Sequence, residues 1–160
     1  MLYTINKTIL LEEAIHRHIN KVETISSEKI VSNTNELFSE LDKLCSKYKI
    51  SKDSLIIFGS AVLGLKGLRS PNDLDIGIKK NSISILKDNF SPAKGSYGAQ
   101  YDIGKISFIH ELALPKIKGQ SLFSQKVDTY KGYNIITFDQ WKEMQKHDPL
   151  QKDKKFLKVK

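Results

Sequence analysis

Four residues in the stretch "IIFGSAVLGLKGLRSPNDLDIGI", residues 56–78, have types and spacing suited to phosphate and metal chemistry. Gly59 and Ser60 directly follow a short apolar run, and Asp73 and Asp75 open the next one. A strand that ends in Gly-Ser and leads into a helix presents backbone N–H groups and a hydroxyl with no Cβ to obstruct an approaching anion. Aspartate is disfavoured inside strands, because a carboxylate there must be hydrogen-bonded, paired or metal-bound. Two aspartates one residue apart on a strand point to the same side, about 7 Å apart along the chain. That spacing suits a shared divalent cation, above all Mg²⁺, whose ligands are hard oxygens. A metal that bridges a nucleotide's phosphates during in-line displacement is the physical use of such a pair.

The elements that must position these residues are legible in outline. "SLIIF" reads as a β-rich run ending at Gly59, and residues 61–66 as one or two helical turns. Gly67 and Pro71 punctuate the way to "DLDIGI". There strict alternation puts Asp73, Asp75 and Gly77 on one face and Leu74, Ile76 and Ile78 on the other. Upstream, residues 8–22 carry Leu11, Ile15, Ile19 and Val22 at helical spacing, and 23–33 read as a polar connector. A second helix is expected from a cap at Asn33 or Thr34, with Leu37, Leu41, Leu44 and Tyr48 along one face and Phe38 and Cys45 beside it. Downstream, "SISILKDNF" reads as a short helix, "SPAKGSYGAQ" as a loop and "DIGKISFI" as a third strand. "QKVDTY" and "YNIITF" read as two more strands joined at Lys131-Gly132. Thr137 and Gln140 form a capping box for a last helix carrying Trp141 and Met144. Strands and helices in this order predict a single α/β or α+β domain with a mixed central sheet flanked by helices. Its parts are N-terminal helices in 1–50, a sheet core in 54–136, and a C-terminal helix and basic tail in 137–160.

The 160-residue length fits one domain, and 39% hydrophobic with 28% charged residues is the composition of a globular protein. No apolar run approaches the roughly 18 residues a membrane span needs, and acidic residues come too early for a signal peptide. No membrane association and a cytoplasmic location are therefore the default expectations. Cys45 is the sole cysteine, which excludes an internal disulfide and a Cys-rich metal cluster, and it reads as a core residue. The net charge of +8, from 26 basic against 18 acidic side chains, favours anionic partners and specifies none.

Taken together, "FGSAVLGLKGLRSPNDLDIGI" resembles the signature of the DNA polymerase β-type nucleotidyltransferase superfamily: a hydrophobic strand, Gly-Ser, a short helix, then Asp-hydrophobic-Asp-hydrophobic. The "GLRSPNDLD" wording is similar to small bacterial members, among them minimal nucleotidyltransferases, members of bacterial defence systems, and aminoglycoside or lincosamide nucleotidyltransferases. The resemblance covers about residues 54–78, with a weaker likeness in the C-terminal strand, helix and Lys-Asp ending. It implies a nucleotidyltransferase fold in which Gly59 and Ser60 hold the phosphates of an NTP and Asp73 and Asp75 ligate Mg²⁺ or Mn²⁺. It also implies Arg69 as a phosphate-binding residue, since guanidinium matches phosphate bidentately, with Lys142, Lys146 and Lys152 as looser candidates.

Active members of that family carry a third acid, acting as general base and metal ligand, in a hydrophobic-Asp-hydrophobic context on a later strand. Here the matching slot, between Ile106 and Phe108, holds Ser107, which cannot act as a base at neutral pH. On one regular strand Asp102 would face away from Ser107, while Glu111 or His110 would act from the strand's end; the third acid stays open among these or none. The leading expectation is Mg²⁺-dependent transfer of a nucleotide monophosphate to an acceptor, a tRNA, a protein or a small molecule, with release of pyrophosphate. The alternatives are a catalytically impaired nucleotide- or protein-binding form of the fold and a nucleic-acid-binding domain using the lysine surplus. With no separate helical domain for the acceptor, a partner chain or self-association is a further expectation.

Overall fold

Ser26 starts the first helix of the computed structural model, which describes residues 25–95, 97–147 and 153–160. Its hydroxyl accepts the Lys29 amide at 3.2 Å, capping α1 (Ser27–Tyr48). The helix therefore begins well before Asn33 and takes in most of the stretch read as a connector. The serine-rich composition there reflects a cap and an exposed first turn. Thr34 is not a cap: it is fully buried and its hydroxyl donates to the Ile30 carbonyl at 2.7 Å. The helix expected over residues 8–22 lies outside the described residues.

From α1 the chain enters β1 (Leu55–Phe58), the short α2 (Ala61–Leu65), β2 (Leu74–Ile78) and α3 (Ile83–Asn89). Next come β3 (Ala93–Gly95), β4 (Gly98–Ile103), β5 (Ile106–His110), β6 (Asp128–Tyr130), β7 (Tyr133–Ile135) and α4 (Phe138–Gln145). The strands form one mixed seven-stranded sheet in the order β3-β4-β5-β2-β1-β7-β6. β2 runs antiparallel to β1 and parallel to β5, while β1 is parallel to β7. The fold is thus a mixed α/β domain with four α-helices among the described residues. None of these helices is long and apolar enough to cross a membrane.

Two segments depart from the sequence reading. "DIGKISFI" is a hairpin and not one strand: Ile103 pairs with Ile106 around Gly104 (φ +60°) and Lys105. Glycine at the first of two turn residues is the signature of a type II′ hairpin. "SPAKGSYGAQ" is likewise no plain loop, since it supplies β3 and the start of β4. The Lys131-Gly132 turn and the Thr137–Gln140 capping box form as expected, with φ of 52° and 83° at the two turn residues.

Register assigns the two faces of the sheet. Ile57, Ile76, Phe108 and Tyr101 stand in one row across β1, β2, β5 and β4. All four are buried on the side that α1 covers, where Phe38 meets the rings of Tyr130 and Tyr133. The opposite row is Phe58, Asp75, Ser107 and Asp102. Part of that second face is covered by the connection after β5, where Leu114 lies against Gly77.

Among the contacts that bind α1 to the rest, two are open to direct test. Gly64 of α2 lies so close to Thr34 that an added Cβ would sit 2.3 Å from the Thr34 hydroxyl oxygen and 2.8 Å from Pro71. Gly64→Ala is expected to destabilise the fold by about 2 kcal/mol, the cost typical of overpacking a tight contact, read as a lowered urea midpoint with unchanged slope. About two turns further along the helix, the Tyr133 hydroxyl donates to Asp42. Burial, reinforced by that bond, pushes the Tyr133 phenol far above its ordinary value. A raised native value means the contribution is complete below the unfolded value near pH 10 and lost as pH climbs beyond it. Between about pH 10 and 11.5 the wild type should lose stability more steeply than Tyr133→Phe in denaturant titrations.

Candidate functional site

The candidate site forms where β1 ends. Gly59 takes φ +72°, a left-handed conformation that a side chain would strain, and turns the chain from β1 into α2. A Cβ built at Gly59 would lie 2.9 Å from Asp75 Oδ2, so the Asp75 carboxylate packs directly over the glycine. This approach follows from register, since Phe58 and Asp75 are opposite partners in the β1–β2 ladder. Asp75 is half-buried and Asp73, just ahead of β2, is exposed. The β2–β5 ladder starts directly after Asp73, with the Leu74 amide donating to the Lys105 carbonyl at 2.9 Å. Ser60 holds the cap position of α2 without capping it through its side chain, while its carbonyl accepts the Gly64 amide at 3.0 Å. Gly59, Ser60 and Asp75 are thus brought to one corner.

Arg69 sits in the segment that joins α2 to β2. Its guanidinium pairs with the mostly buried Asp153 at 2.8 Å. Asn33 of α1 donates to the Ser70 hydroxyl at 3.3 Å, a second tether on the same segment. Gly67, at φ +71°, lets that segment pass within contact of Ser27. The lysine candidates are engaged locally: Lys142 lies 4.6 Å from the Phe138 ring centroid and Lys146 pairs with Glu143 at 3.1 Å. Lys152 lies outside the described residues.

Among the third-acid candidates, Asp102 is the one the hairpin carries to the Asp75 face. Asp102 and Ser107 do not face opposite ways, as a single strand would require; the hairpin makes them direct cross-strand partners. Counting alternation through a turn gave the wrong face. Ser107 Oγ donates to Asp102 Oδ1 at 2.7 Å, and Gln100 Nε2 donates to the same oxygen at 2.7 Å. Ser107 is in turn the β5 partner of Asp75. His110 and Glu111 belong to the far end of β5, where His110 pairs with Ile78 and Glu111 accepts the Lys80 amide. Strand rise places them on the order of 10 Å or more from the Asp75 row.

Tyr97, in the segment read as a loop, also lies near this corner. β4 and β1 are three strand spacings apart, roughly 14 Å. Yet the Tyr97 ring lies edge-on to Phe58 with centroids 5.6 Å apart. The β3–β4 hairpin must therefore bend over the sheet and bring an exposed aromatic beside the Asp75 corner.

The donor set bears on what the corner can hold. No group of three or more His, Cys, Asp or Glu side chains suited to a metal occurs among the described residues. Asp102 is offset from Asp75 by two strand spacings, about 10 Å between backbones. An all-protein cage is not what the geometry offers. The chemistry of the donors, the Asp75 carboxylate over Gly59 and Asp73 two residues before it, is of the kind that suits Mg²⁺, which keeps waters and binds through one or two carboxylates plus phosphate oxygens.

Comparison of the chain with protein-family models, with curated proteins and with solved structures finds no match.

The Gly59–Asp75 approach is open to test without any ligand. Gly59→Ala combines a left-handed backbone with contact against the carboxylate, and is expected to cost about 1–2 kcal/mol. A thermal midpoint equal to wild type would contradict the packing of Asp75 over Gly59.

Proposed function

We propose that this chain is a metal-dependent nucleotidyltransferase of the DNA polymerase β type, built on that family's fold. It would transfer a nucleotide monophosphate from an NTP to an acceptor. The observation that carries the proposal is the Asp75 carboxylate lying over Gly59, which joins the phosphate-suited turn and the metal-suited strand in one corner. Gly59 and Ser60 receive the departing phosphates, and Arg69, with several guanidinium donors beyond the one on Asp153, supplements them. Asp73 and Asp75 hold Mg²⁺ or Mn²⁺, which when bound neutralises charge on the phosphates. An acceptor oxygen attacks the α-phosphorus, the bond to the pyrophosphate oxygen breaks, and the acceptor's proton passes to a carboxylate, for which Asp102 is the best placed. The acceptor, a tRNA, a protein or a small molecule, would reach the corner from the side of the β3–β4 hairpin. A partner chain or a second copy of this one would contribute to the acceptor-binding surface.

One observation favours a second reading. The strand position next to Asp75 holds Ser107, and the nearest further carboxylate stands one strand beyond it. A domain that binds an NTP with Mg²⁺ and performs no transfer would look the same.

Incubation with each α-labelled NTP, Mg²⁺ or Mn²⁺ and a cell extract separates the two. Transfer is expected, with Asp75→Asn lowering it by about a hundredfold or more, beyond the 10–100-fold typical of outer partners of a metal site. Full transfer by Asp75→Asn would refute the mechanism, and Mg²⁺-dependent NTP binding without pyrophosphate release would establish the second reading.

A further inference from the structure

An exposed aspartate ordinarily samples several staggered rotamers. Asp102 is exposed, yet two donors from two different strands converge on its Oδ1: the Ser107 hydroxyl and the Gln100 amide, each at 2.7 Å. Ser107 is buried on β5 and directly partners Asp75, so its bond draws the Asp102 carboxylate inward, toward the Asp75 row. Gln100 is held in turn by what Gly95 lacks. A Cβ on Gly95 would lie 1.7 Å from Gln100 Oε1 and 2.1 Å from its Cδ, so the Gln100 side chain lies across the β3 backbone in space that only glycine leaves open. Gly95 has no positive φ that would otherwise demand glycine.

We infer that Gly95, Gln100 and Ser107 form a positioning device that locks the Asp102 carboxylate in one rotamer, leaning over β5 toward Asp75. Ser107 thereby makes up for the missing acid at its own position by fixing the acid of the neighbouring strand. The lock stands on geometry alone; its catalytic consequence rests on the nucleotidyltransferase reading above. As positioning residues, Ser107 and Gln100 act through Asp102 and touch no substrate. Their removal should lower turnover by misplacing a group, with little effect on nucleotide affinity.

The rotamer is measurable in the full chain by the three-bond couplings from Asp102 Cγ to its own backbone nitrogen and carbonyl carbon. The wild type is expected to show the unaveraged couplings of a single staggered state. Gln100→Ala, Gly95→Ala and Ser107→Ala should each move them toward averaged values, and Ser107→Thr, which keeps the hydroxyl, should not. Gly95→Ala is informative because the obstructed atom is the mobile end of a glutamine, so the fold survives while the donor is displaced. Averaged couplings in the wild type, or unaveraged ones in the Gln100→Ala/Ser107→Ala double variant, overturn the lock. In transfer assays with α-labelled ATP and Mg²⁺, Ser107→Ala should lower apparent kcat about tenfold with KM for ATP within about twofold of wild type. Ser107→Thr should restore most of the rate, and Ser107→Ala should add nothing in an Asp102→Asn background. Locked couplings with kcat unchanged by Ser107→Ala overturn the positioning role. Locked couplings in a wild type that transfers nothing uphold the device and sink the nucleotidyltransferase reading instead.

Discussion

The structure depends on the register of β2 between β1 and β5. Leu74, Ile76 and Ile78 are fully buried on the face that α1 covers, and strand geometry then forces Asp75 and Gly77 onto the other face. A slip of one residue would drive the Asp75 carboxylate in among Ile57 and Phe108 and expose three large apolar side chains. The cost of a buried unpaired charge and the loss of apolar burial act in the same direction, so the register is held from both sides. The same register lays Asp75 over Gly59 and brings Ser107 beside Asp75. The apolar core therefore dictates where the polar row stands, and a site built on that row needs no separate device to bring its central residues together.

Much of this was readable from the chain. Alternation in "DLDIGI" assigned the faces of β2, because a half-buried strand writes its period into the sequence. The capping box at Thr137 and the turn at Lys131-Gly132 were readable because each rests on interactions within a few residues. What escaped was the hairpin at Gly104-Lys105. Apolar residues lie on both sides of that turn, so its composition imitates one continuous strand, and the glycine is the only local mark of reversal. That misreading moved Asp102 to the wrong face and hid its pairing with Ser107. The start of α1 escaped for a different reason. Helix propensity in "SSEKIVSN" is modest, and the turns there are stabilised by tertiary contacts, Ile30 and Thr34 being buried by packing that no local window records. The meeting of Tyr97 with Phe58 was not legible, since it depends on how far the hairpin bends.

The segment from Gly67 to Asn72 illustrates how a loop can be made a dependable support. It leads from α2 to the aspartates, and its ends are fixed by α2 and β2. Between them Asn33 reaches it from α1, Asp153 from the C-terminal part, and Gly67 lets it lie against Ser27. These contacts tie it to both sides of the domain, which lowers the entropy available to the loop and fixes the approach to Asp73. Arg69 is thus held in one orientation by Asp153. A guanidinium already pinned by one carboxylate keeps its remaining donors in a fixed fork, so less freedom is lost on binding.

The placement of a serine beside Asp75 has an electrostatic consequence that bears on metal dependence. Two carboxylates on neighbouring strands, about 5 Å apart, repel by about 3 kcal/mol at an effective dielectric of 20, while at about 10 Å the repulsion falls to about 1.7 kcal/mol. With Ser107 beside Asp75 and a carboxylate at Asp102 one strand further on, this repulsion is more than about 1 kcal/mol smaller than an acid at position 107 would give. The same displacement weakens any cation site formed by protein atoms alone, because affinity for a divalent ion grows with the carboxylates that can reach it. Under the proposed function such a corner would gain a cation chiefly together with polyphosphate, whose oxygens would supply further ligands. If the proposed function holds, selectivity for a metal–nucleotide complex over the bare ion would follow from where the acids stand in the sheet, with the two hydrogen bonds on Asp102 setting how far its charge leans inward.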